Sequence, residues 1–269
     1  MTDTSPAKPT ATPVAAATIL LLRDGAQAQL EVFMVVRHHQ IDFASGALVF
    51  PGGKVDPQDT APGVLSRLTS YPGATPGQSQ LRAAAIREAF EESGILLARP
   101  AGADSFAVIG SQLDAWRRGL NDQTMTLAQT LAQGDLQLAC DALLHFAQWI
   151  TPPIMPKRFD THFYLARVPA EQVAAHDGQE NVDSLWITPQ QAVADAQAGS
   201  RTIIFPTLAN LIRLAQYANV DAALAGAATT PVVPVLPWTE QRADGTYLCI
   251  TPDAGYSFIE QKFDQRGRP

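Results

Sequence analysis

The segment Arg87–Gly94 reads REAFEESG and sets Glu88, Glu91 and Glu92 along one side of a helix. Like charges spaced three or four residues apart weaken an isolated helix by about 0.2 to 0.5 kcal/mol per pair. Arg87 can pair with Glu91, but one guanidinium cannot neutralise three carboxylates, so a bound cation or water must offset the rest. Upstream, Leu81, Ala84, Ala85, Ala89 and Phe90 give the helix an apolar side. It is therefore amphipathic, with one face for packing and the other for carboxylates. Gly94 is placed to cap its C-terminus, where glycine tolerates the left-handed conformation.

Working outward, ALVFPGG at Ala47–Gly53 reads as a strand ending in a glycine turn. Thr60 to Ser79 carries three prolines and three glycines and reads as a loop with little regular structure. Before it, Ala15–Arg23 and Leu30–Arg37 are apolar runs around DGAQAQ, the pattern of a hairpin. The run Val14–Leu22 is too short to span a bilayer and follows a proline-containing segment with a single lysine, so it fits a buried first strand better than a secretory signal. After the acidic helix, residues from about 111 to 148 read as two or three helices, a local helical insertion with no linker composition around it. Strands follow at THFYLARVP and NVDSLWIT, then a helix at TPQQAVADAQAG and another from Pro206 to about Tyr217, and a strand at TYLCI. The organisation is a disordered tail over 1–13, one domain over 14–258 and a C-terminal tail over 259–269.

The chain has 269 residues and 46% apolar composition, enough for a sizeable core. A net charge of -7 opposes loose nucleic-acid binding, which depends on basic surfaces. The two cysteines, Cys140 and Cys249, are far apart and form no CxxC, so neither a disulfide framework nor a zinc site is suggested and a cytoplasmic location is expected. No membrane partner is expected either.

The glycine turn and the acidic helix together resemble the Nudix box, G-x5-E-x7-R-E-U-x-E-E-x-G-U with U aliphatic. REAFEESGI matches its second half at every fixed position, Gly53 stands at the opening glycine, and Asp59 stands where the family has glutamate. The family places its arginine 14 positions after that glycine. Here Arg87 is 34 after Gly53, and the extra 20 residues are Thr60 to Ser79. Such an insertion resembles the coenzyme A and acyl-coenzyme A diphosphatase branch, as do Gly46 before FPGG, PKRFDTHFYLA and FPTLANLIRLA, so the resemblance runs from about residue 14 to 258. The branch motif R-[SA]-x3-R-x3-G-x3-FPGG keeps its spacing at Arg37, His38, Asp42, Gly46 and Phe50, but His38 replaces the small residue and Asp42 the second arginine.

What the resemblance implies is an α/β fold, a Nudix α/β/α sandwich around a mixed sheet, and a diphosphatase dependent on Mg2+ or Mn2+. Glu91 and Glu92 would be direct metal ligands, Glu88 a third and the Gly53 carbonyl a backbone ligand, while Arg87 would orient the carboxylates. The general base is either Glu91 or Glu180. Substrate contacts are expected from Arg37, His38, Phe50, Gly52, Lys54 and Arg158, with Lys157 beside the last. Asp59 is either a carboxylate behind the site or loop surface, and the insertion is either a lid or a passive loop. The substrate would be a small-molecule nucleoside diphosphate derivative. The branch implies coenzyme A or its acyl esters, cut to 3',5'-ADP and a phosphopantetheine product; ADP-ribose or NADH is the alternative, and a catalytically silent nucleotide-binding module is the rival from another class. The choice between monomer and homodimer stays open.

Overall fold

A computed structural model describes residues 11–37, 46–107, 110–178 and 181–263. The first strand, β1 (Val14–Asp24), alternates its side chains between two cores. Ala17, Ile19 and Leu21 enter one, and Leu20 and Leu22 the other. This period of two is what a strand buried on both faces demands. β2 (Leu30–Arg37) returns antiparallel to β1 through Leu22↔Val32, as the hairpin reading requires. β3 (Leu48–Val49) pairs with β2, and β4 (Gly52–Lys54) pairs with the first half of β1.

The proline-rich stretch is more ordered than its composition suggests. Pro57–Thr60 forms a 3₁₀ turn and α1 (Pro62–Leu65) follows. Helix α2 (Pro76–Ser93) starts earlier than expected: Thr75 caps it by accepting from the Gln78 amide, and Pro76 occupies a first-turn position, where its missing N–H costs nothing. It ends at Gly94, whose φ of 77° confirms the expected left-handed cap.

Beyond β5 (Ala98–Pro100), the segment read as two or three helices contains two, α3 (Ser111–Asn121) and α4 (Leu127–Gln133). It then becomes β6 (Leu136–Leu138), which pairs with β5, and β7 (Leu144–Ile150). The helical reading of CDALLHFAQW is thus corrected: Phe146, Ala147 and Trp149 are buried in a strand that pairs with β8 (Phe159–Arg167), a partner distant in sequence whose pairing outweighs local propensity. β9 (Asn181–Ile187) pairs with β2, and helices α5 (Pro189–Gln197), α6 (Phe205–Leu214) and α7 (Val220–Thr229) follow. β10 (Pro234–Val235) adds to β7. β11 (Trp238–Arg242), β12 (Gly245–Cys249) and β13 (Glu260–Phe263) make a separate antiparallel sheet, so part of the range expected to be a C-terminal tail is a paired strand.

The main sheet is mixed, in the order β10-β7-β8-β1-β2-β3, with β4 on β1 and β9 on β2; β1 and β8 run parallel. α2 covers one face through Ala83–Ile86, Ala89 and Phe90, and α5, α6 and α7 cover the other. The expected sandwich is the observed one. Among the described residues no helix is long and apolar enough to cross a membrane.

His145 of β7 and His162 of β8 stack with centroids 5.0 Å apart and share a 3.1 Å hydrogen bond. Burial, then the neighbouring His162 and Arg82, depress the His145 pKa to about 4. The unfolded imidazole titrates near ~6.5, so below that pH the unfolded chain binds the extra proton and the native state loses stability as pH falls toward 4. Urea unfolding at pH 7 and pH 5 should show a larger loss for the native sequence than for His145→Gln.

Candidate active site

The FPGG turn is not a loose loop. Thr18↔Gly52, Ala17↔Gly53 and Ala16↔Lys54 place it in the sheet, directly beside α2. The approach is tight at both positions, for different reasons. A Cβ on Gly52 would lie 2.7 Å from the Ala17 carbonyl oxygen and the Thr18 Cα, whereas one on Gly53 would overlap the Glu88 carboxylate.

Arg87 organises the acidic face. Its Nε donates to Asp59 Oδ1 at 2.8 Å and its Nη2 to Asp59 Oδ2 at 3.0 Å, a bidentate pair with Arg87 5% and Asp59 0% exposed. Nη2 also donates to the Lys54 carbonyl, while Nη1 lies 2.9 Å from Glu88 and 2.7 Å from Glu91. Burial works against the guanidinium charge, but Asp59, Glu88 and Glu91 outweigh it and hold its pKa above the ordinary value. Asp59 Oδ2 accepts from the Asp56 amide as well, so this carboxylate closes the 3₁₀ turn and anchors Arg87 at once. The open choice over Asp59 is resolved toward the buried position behind the site.

Glu88 is pushed up to about 7 by burial, an effect that Arg87 opposes and Glu91 reinforces. The buried Glu92 accepts from the Gly52 amide at 3.2 Å. The self-repulsion of the helix is therefore relieved in part by Arg87 and by the glycine turn.

These groups border a cleft of about 1120 Å³. Gly52, Gly53, Lys54, Arg87, Glu88, Glu91 and Glu92 line it, together with Arg37 and Phe50. Apolar lining comes from Trp149, Ile154, Met155, Phe159, Phe205 and Pro237. Lys157 lines the cleft; Arg158 is not among its lining residues, and its guanidinium donates to the Thr151 and Ala11 carbonyls. His38, Asp42 and Glu180 lie outside the described residues.

Several cleft residues escaped the sequence reading. Thr161 and Phe163 come from β8, Asp177 from the loop before β9, and Gln261 and Lys262 from β13. No local pattern marks them, since contacts distant in sequence bring them to the cleft.

The family model described as the NUDT19 Nudix domain matches residues 66–214 of this chain. The chain belongs to that Nudix family. It is 29% identical over 198 residues to putative nudix hydrolase 7 of Caenorhabditis elegans, covering 71% of this chain and 57% of the relative. It is 27% identical over 232 residues to the acyl-coenzyme A diphosphatase NUDT19 of Xenopus laevis, covering 71% and 61%. The chain thus spans less than two thirds of the length of the curated relatives it matches. The crystal structure of a Nudix hydrolase from Alicyclobacillus acidocaldarius is similar at a TM-score of 0.67 and 27% identity, over 80% of this chain and 96% of that one. FPGG and Asp59 precede the matched residues, yet β1–β4 pairing puts them against the matched helix.

Two contrasts test this geometry. Gly52→Ala should lower unfolding stability by about 1 to 3 kcal/mol, because backbone must move, while Gly53→Ala should leave stability nearly unchanged and displace only the Glu88 carboxylate. Asp59→Ala should cost about 3 kcal/mol or more in urea denaturation, because it strands a buried guanidinium.

Proposed function

We propose that this Nudix chain hydrolyses the diphosphate linkage of a nucleoside diphosphate derivative with Mg2+ or Mn2+, and that coenzyme A or acyl-coenzyme A is its substrate, giving 3',5'-ADP and (acyl-)phosphopantetheine. The observation that carries the reading is the convergence of Glu88, Glu91 and Glu92 with the Gly52–Lys54 turn in one cleft. The donor set suits a hard divalent cation, which takes oxygen ligands and retains waters and substrate phosphates. Among the described residues no group of three His, Cys, Asp or Glu is gathered as a ready ligand set, and one nitrogen of Arg87 engages both Glu88 and Glu91. Glu91 and Glu92, with Glu88 and the Gly53 carbonyl, are the groups that would hold the ion. When bound, it would lower the pKa of an attacking water and neutralise charge on the phosphoryl oxygens.

The chain's own residues do the positioning. Asp59 fixes Arg87, Arg87 holds Glu88 and Glu91, and the Gly52 amide holds Glu92. Arg37, Lys54 and Lys157 add positive charge to the cleft to receive phosphates, and its volume of about 1120 Å³ with several apolar lining residues suits a substrate with a large organic arm. The name of the Xenopus laevis relative, an acyl-coenzyme A diphosphatase, supports the same class. Glu91 and Glu180 compete as acceptor of the water's proton. Asp42, in place of the branch's second arginine, keeps ADP-ribose or NADH as the second reading. All three box carboxylates are retained, which weighs against a silent module.

The test is hydrolysis with Mg2+ or Mn2+ of coenzyme A, acetyl-coenzyme A, ADP-ribose, NADH and diadenosine polyphosphates, with products identified by mass. Cleavage of the coenzyme A species is expected, and Glu91→Gln or Glu92→Gln should lower it by more than about a hundredfold. Preference for ADP-ribose or NADH would install the second reading, and no turnover of any compound would install the silent module.

A further inference from the structure

The C-terminal end of α2 is held from outside the helix. In a longer helix the Glu91 carbonyl would accept from the Ile95 amide, but here that amide donates to Ser93 Oγ at 3.2 Å. Arg117, on α3, supplies the replacement: its Nε donates to the Glu91 carbonyl at 2.9 Å, and Asn121 one turn later reaches the same oxygen at 3.4 Å. Cationic groups at a helix C-terminus also complement its dipole. A second nitrogen of the same guanidinium goes elsewhere, with Nη2 donating to the Ala175 carbonyl at 2.8 Å. Ala175 is itself docked on α2, its amide donating to the Ser93 carbonyl at 2.9 Å. Two residues on stands Asp177, a cleft carboxylate whose Oδ1 caps the start of β9 by accepting from the Asn181 amide at 3.0 Å. Leu120 and Asn121 of α3 line the cleft as well.

We infer that Arg117 is a positioning residue: its planar fork sets the register between the acidic helix and the loop that carries Asp177, and so the separation of their carboxylates in the cleft. The fork matters because three segments meet on it. Nε fixes α2 at the backbone of Glu91, Nη2 fixes the 175–177 loop, and α3 supplies the base. A lysine could keep the charge, but not two bonds in fixed planar directions. Charge and register also predict opposite effects on a cation at the carboxylates. Arg117 is close enough to Glu92 and Asp177 for their charges to act on it, so charge removal alone would strengthen cation binding, whereas loss of register would weaken it.

The inference deepens the metal-dependent reading proposed above and rests on it. It is tested with the full chain carrying Arg117→Lys or Arg117→Met, by Mn2+ titration calorimetry without substrate, coenzyme A turnover, melting temperature and amide hydrogen exchange. The expected result is that both variants bind Mn2+ more weakly and lose roughly tenfold or more in kcat, with KM little changed. Exchange should quicken in the last turn of α2 and at 175–177 while the melting temperature stays near that of the native chain. Native behaviour of Arg117→Lys, or tighter Mn2+ binding by Arg117→Met, would overturn it in favour of a charge effect. A large fall in melting temperature with uniformly faster exchange would overturn it in favour of general stability. If the native chain binds no Mn2+, the metal reading fails by itself, and local exchange in Arg117→Lys still decides: quickened at both segments, it supports the inference; unchanged, it overturns it.

Discussion

The buried pair between Asp59 and Arg87 is the constraint on which the cleft depends. A guanidinium 5% exposed is tolerable only when its charge is matched and its donors are used. Asp59 supplies both, and it can do so because the 3₁₀ turn at Pro57–Thr60 brings it under α2. With one edge of Arg87 committed there, the other edge is left to Glu88 and Glu91. The carboxylates are thus aimed by a residue that is itself immobilised by a segment 28 positions earlier. Twenty residues can be inserted between these partners because loop length adds only slowly to the cost of closure.

The second constraint is the sheet. β4 is short, but its pairing with β1 makes the glycine turn part of the main sheet. The turn and the helix therefore face each other as rigid elements, and the Gly52 amide reaches Glu92 without any mobile segment between them. The apolar lining of the cleft has a different origin, since Trp149 comes from β7, Phe159 and Phe163 from β8, Phe205 from the start of α6 and Leu248 from β12. The carboxylates and glycines come from α2 and its turn.

Much of this was legible in the chain. The acidic face and Gly94 gave α2 and its cap, because helical periodicity and a glycine stop are local signals. The apolar runs on either side of DGAQAQ gave β1, β2 and their hairpin for the same reason. The misread segments are those decided at a distance. Leu144–Ile150 carries apolar residues in an order that fits either period, and its pairing with β8 makes it a strand. Glu260–Phe263 is polar and short, and becomes a strand because β12 offers it an edge. Arg158 looked like a phosphate ligand by type alone, but two backbone carbonyls claim it first. Asp59 was undecided because nothing in its neighbours reveals a guanidinium 28 residues later.

The parallel pairing of β1 with β8 has a consequence for the order of assembly. Ala16 and Thr18, on the cleft floor, sit in register with Thr161 and Phe163, about 145 positions later in the chain. A ribosome must therefore have released most of the polypeptide before that floor can close. Until then β1 has its hairpin partner, the glycine turn and α2, but the edge that β8 pairs and the face that α5, α6 and α7 cover stay open. Non-local parallel pairings of this kind form slowly. The nascent protein thus passes through a period in which its most hydrophobic strand is partly exposed, and a chaperone that shields Val14–Asp24 would act at the step where misfolding competes best.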